Sequence, residues 1–96
     1  MPSETYRDVV SVDRHDLVGY AVEAADGSIG RIDEASKSLG GAHVVVDTGF
    51  WIFGRKRVIP SRSIGRVDVA SRTVFVGLSR DRIRNARPYG LFYDVS

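Results

Sequence analysis

The chain has 96 residues, 43% hydrophobic and 27% charged, with a formal net charge of +2 and no cysteine. That length supports one domain around one core, burying roughly 60–68% of the surface the unfolded chain exposes, and it excludes a deep internal chamber. The lack of cysteine excludes a disulfide framework and a thiolate metal site, and no apolar run approaches the ~18 residues of a membrane span.

The opening MPSETYRDVV is polar and carries no signal-peptide core, which sets the expectation of a cytoplasmic protein. Residues 1–14 read as an N-terminal tail, 15–88 as the folded domain and 89–96 as a C-terminal tail. In residues 17–25 the apolar positions Val18, Tyr20, Val22 and Ala24 alternate, which predicts a half-buried strand. Asp26-Gly27 follows, a pair suited to the centre of a type I′ hairpin turn. A partner strand is expected over 28–35. Its apolar residues Ile29 and Ile32 have opposite parity, and Gly30 between them is a place for a β-bulge that resets the register. The serine and glycines of 37–41 read as a loop.

Residues 42–47 read as a strand. Val44, Val45 and Val46 in a row predict cover on both faces. The run Phe50-Trp51-Ile52-Phe53 then lies between Gly49 and Gly54, followed by Arg55-Lys56-Arg57 and a strand over 56–60 that Pro60 closes. A further hairpin is predicted from strands 63–69 and 73–78 around Ala70-Ser71-Arg72, with Val74, Val76 and Leu78 alternating. Residues 79–85 suit one short helical turn with Ser79 as N-cap and Asn85 near its end. Five or six short strands with turn signals between them predict an all-β barrel or sandwich.

Charge is unevenly distributed. Residues 1–47 hold nine acidic and four basic side chains, whereas 48–96 hold three acidic and ten basic ones. The basic half could attract nucleic acid. It could equally meet the acidic half of its own chain or of a second copy, because the halves of a small barrel interleave in space.

The order DLVGYAVEAADGSIGRIDEA, HVVVDTG, GRKRVIPSRSI and VFVGLSRDRIRNA resembles the PRC-barrel domain. The matching points are Val18-Gly19, the Asp26-Gly27 turn, Ile29-Gly30 with Ile32 after it, Val46-Asp47, Gly54-Arg55, the strand at 58–60, and Leu78-Ser79 with Arg84-Asn85-Ala86 and Pro88. That family includes the cytoplasmic domain of the photosynthetic reaction centre H subunit, the C-terminal domain of a ribosome maturation factor, and small stand-alone proteins. The resemblance spans residues 16–89. It implies a small β-barrel of five to six antiparallel strands with a short C-terminal helical turn. It also implies a role in binding and assembly, and no particular ligand.

Three groups of side chains bear on function. Phe50, Trp51 and Phe53 either fill a barrel mouth or form an exposed patch that meets a protein partner or a second copy, since aromatic anchors dominate interface energetics. Homo-oligomerisation is the favoured form of that contact. Arg55, Lys56 and Arg57 stand beside them. Strand alternation sends Arg55 and Arg57 to one face and Lys56 to the other. They form either a polar rim, or, with Arg80, Arg82, Arg84 and Arg87, part of a phosphate-binding surface for RNA or a ribosome. His15 and His43 are the only histidines and lack an arrangement of further ligands, so no metal and no cofactor is expected. No nucleophile elbow and no phosphate loop occurs, and no enzymatic activity is expected. The carboxylate of Asp26 is accounted for by turn chemistry, and Asp33 and Glu34 read as solvent-facing strand residues.

Overall fold

In the computed structural model the described residues are 17–49 and 55–89. They form one seven-stranded sheet: β1 Ala21–Ala24, β2 Gly27–Ile32, β3 His43–Asp47, β4 Lys56–Pro60, β5 Ile64–Asp68, β6 Thr73–Val76 and β7 Arg87–Pro88. A 3₁₀ turn, Glu34–Ser38, joins β2 to β3. Another, Ser61–Ser63, joins β4 to β5, and α1, Arg80–Arg84, follows β6. The sheet order is β5-β6-β1-β2-β3-β4-β7. The all-β class is as expected. The strand set differs from five or six antiparallel strands in two respects. Arg87–Pro88 adds a short strand on β4, and β1 runs parallel to β6, pairing Val22 with Val74.

The order implies curvature. β4 and β5 are five positions apart, about 24 Å across a flat sheet at the usual strand spacing. The link from Pro60 to Ile64 is four Cα steps, reaching at most about 15 Å. The sheet therefore curls, and its concave face closes on one cluster that includes Tyr20, Val22, Ile32, Val44, Val46, Ile59, Val74 and Ile83. Ile83 of α1 is fully buried in that cluster and plugs it.

The β1–β2 hairpin confirms the bulge and moves the turn. Val22 pairs with Gly30 while Glu23 pairs with Ser28, so Ile29 is the extra residue. That shift lets Ile29 and Ile32, three apart, both face inward. The turn residues are Ala25 and Asp26, because Ala24 pairs with Gly27. Neither has positive φ, so the turn is not type I′; Gly27 takes the unusual φ, +140°. Gly30 is needed for a second reason. A Cβ there would overlap the carbonyl oxygen of Asp47, so β2 and the end of β3 approach closely only because the side chain is hydrogen.

β2 ends at Ile32, short of the expected 35, because Asp33 caps the 3₁₀ turn and its carboxylate accepts from the Ala35 N–H at 2.8 Å. That turn covers the convex side of β3, where Val45 is as fully buried as Val44 and Val46. The Ser36 hydroxyl, also fully buried, accepts from the Val45 N–H at 2.8 Å and donates to the Val45 carbonyl at 3.3 Å. It stands in for a neighbouring strand at the point where β2 leaves the sheet.

Candidate functional site

β3 and β4 end in a pinned neck. The Thr48 N–H and hydroxyl both donate to the Arg55 carbonyl, each at 2.8 Å, and Thr48 is buried. The Asp47 carboxylate accepts from the Gly49 N–H at 3.0 Å, and Gly49 takes φ +118°, a conformation that favours glycine. Gly30, Arg31, Asp47, Gly49 and Arg55 line an open recess at this end of the sheet. Phe50, Trp51 and Phe53, the three aromatic site residues read from the sequence, lie outside the described residues, as do Ile52, Gly54 and His15.

The basic run beyond the neck does not form one patch. Arg55 Nε lies 3.8 Å from Asp47 Oδ1, and Lys56 Nζ lies 3.5 Å from Asp33 Oδ1. Arg57 pairs with Val46 on the concave face and its guanidinium donates to the Ala86 carbonyl at 3.3 Å, just past α1. Lys56 and Arg57 thus diverge, as strand alternation predicts. Arg80 Nε is 3.8 Å from Asp26 Oδ1, and Arg84 is 4.0 Å from Asp81. Asp47–Arg55, Asp33–Lys56 and Asp26–Arg80 each join the acidic first half of the chain to its basic second half. Such exposed or half-exposed pairs contribute little individually, but they spread the positive charge over separate places.

Asp26 does more than make a turn. Its carboxylate accepts from the Arg80 N–H at 2.8 Å, across 54 residues, while Ser79 Oγ accepts from the Arg82 N–H at 3.1 Å. The β1–β2 turn and Ser79 together cap α1, and the Ala25 N–H donates to the Leu78 carbonyl at 2.8 Å beside them. The Arg80 N–H holds the Asp26 carboxyl below its ordinary value. The only sequence signal for this role was Asp26 itself, at a turn. Asp33, read as a solvent-facing strand residue, is likewise a cap.

His43 is exposed on β3 opposite Pro60. Among the described residues no group of three or more His, Asp or Glu is placed to hold a metal ion. No helix among them is long and apolar enough to cross a membrane. No protein-family model matches the chain, and no curated protein matches it.

Proposed function

We propose that this chain is a non-enzymatic, PRC-barrel-like assembly module of the cytoplasm that pairs with a second copy of itself through Phe50, Trp51 and Phe53. Arg55, Lys56 and Arg57 form the polar rim that sets orientation. The observation that carries this reading is the neck. Thr48 and Arg55 are fastened by two hydrogen bonds, so a run of four large apolar residues is inserted at one fixed end of the sheet. Meanwhile the concave core is already built from Tyr20, Val22, Ile32, Val44, Val46, Ile59, Val74 and their neighbours. The short β4–β5 link supports reading the curled sheet as a barrel.

A central aromatic anchor is worth about 2 kcal/mol or more when truncated. Trp51→Ala is therefore expected to lower the mass seen by light scattering at a fixed concentration. An unchanged mass, with a wild type larger than one chain, removes Trp51 as the anchor. The alternative reading is an RNA- or ribosome-associated factor working through the basic second half. It requires retention of RNA on a filter at low salt and steep loss at high salt. The pairing of Arg55, Lys56 and Arg80 with carboxylates of the first half favours self-association over that alternative.

A further inference from the structure

β5 is an edge strand. It pairs with β6 on one side, and no strand pairs with its other side among the described residues. An open edge is a row of backbone donors and acceptors available to another chain. Gly65 and Arg66 on it are exposed. Val69, directly after it, is 57% exposed and is the only large hydrophobic residue so exposed among the described residues.

The edge is self-complementary in charge. Arg66 and Asp68 are two apart on one strand, so they share a face. Arg66 pairs with Phe75 and stacks its guanidinium 4.1 Å from the ring centre, while Asp68 pairs with Thr73. Two antiparallel β5 strands related by a twofold axis at Val67 place each Arg66 opposite the other copy's Asp68. The same register sets each Val69 opposite the other copy's Gly65, where no side chain obstructs it. A register centred on Arg66 would instead oppose two guanidinium groups, and one centred on Asp68 two carboxylates, both unfavourable. Charge thus selects one register, and an isologous contact of this kind is the usual geometry of a closed dimer. Hydrogen bonds from Ser71, including its N–H at 3.3 Å, hold the Asp68 carboxyl below its ordinary value.

We infer that the β5 edge joins two copies of this chain in antiparallel register about Val67, with Arg66 facing the partner copy's Asp68 twice. This contact does not rest on the aromatic connection, which lies between other strands.

The test uses the full chain carrying Trp51→Ala, so that the aromatic residues supply no anchor, at low ionic strength. Light scattering is expected to give twice the 10.6 kDa chain mass. Adding Arg66→Asp, or separately Asp68→Arg, opposes like charges and is expected to halve that mass. An equal mixture of the two variants restores both attractive pairs and returns the doubled mass, which also shows that each variant folds. A monomeric Trp51→Ala chain overturns the inference. So do charge variants that stay dimeric, or a mixture that stays monomeric while circular dichroism reports folded protein. A wild type whose mass is insensitive to Trp51→Ala but sensitive to both charge variants removes the aromatic anchor and leaves the β5 contact standing.

Discussion

Gly30 shows how much a single hydrogen atom can decide. It lies beside the β1–β2 bulge and under the end of β3, where any Cβ meets the Asp47 carbonyl oxygen. That obstacle is backbone, held by the neck that follows, so it cannot swing aside as a side chain would. Gly30→Ala is expected to destabilise the fold by about 3 kcal/mol, the upper end of overpacking costs, measured as a lowered urea midpoint. An unchanged midpoint would mean that the β2–β3 approach is looser than described. Asp26 offers a prediction in pH. Its folded carboxyl lies below 3.8, chiefly because the Arg80 N–H bonds to it. A depressed value adds stability that is fully present above about 3.8 and fades as pH falls through the folded value. Asp26→Asn keeps an acceptor and removes the charge. It is expected to melt below the wild type near neutral pH, with the gap narrowing on acidification below 3.8. A gap of constant size across that range would assign Asp26 no electrostatic role.

Among the elements, the 3₁₀ turn Glu34–Ser38 is the one that substitutes for a strand. Its Ser36 hydroxyl accepts from the Val45 N–H, while the Val45 carbonyl accepts from the Asp33 N–H at 2.8 Å, and Ser36 and Val45 are both fully buried. Ser36→Ala leaves the Val45 N–H buried and unsatisfied, expected to cost about 1–3 kcal/mol, with faster amide exchange at Val45 as the local readout. This turn is also where sequence reading fell short. Alternation made the strands expected over 17–25 and 73–78 legible, though they form only at Ala21–Ala24 and Thr73–Val76, while runs of consecutive apolar residues marked 42–47 and 56–60. α1 was legible because Ser79 and Asn85 bracket it, and the structure uses both as caps. A buried serine inside EASKS has no such local signature, since its partner is set by how β2 exits the sheet. The parallel pairing of β1 with β6 is hidden for the same reason: residues about fifty apart are brought together by the curl, and no turn marks the contact. β7 was read as domain end rather than strand; Pro88 fits there because β7 is an edge.

For the molecule as a whole, the division between an acidic first half and a basic second half is partly dissolved by folding. Asp26, Asp33 and Asp47 each face a cation from beyond residue 47. The sequence made the charge asymmetry plain and could not say which cations meet which carboxylates, because those pairs depend on strand order. Of the site, the divergence of Lys56 and Arg57 follows from strand alternation, whereas Arg55, which precedes β4, the neck at Thr48 and the cap at Asp26 needed three dimensions. The connection between β3 and β4 carries Phe50, Trp51, Ile52 and Phe53 in sequence, and Trp51 is the only tryptophan of the chain. That residue reports on its own surroundings. The direct measurement is the emission maximum of the unmodified protein over a dilution series in which light scattering follows the mass down to one 10.6 kDa chain. If Trp51 is covered by a second copy, its emission moves to longer wavelength as the copies separate; an emission maximum that holds still while the mass falls to one chain would contradict that contact.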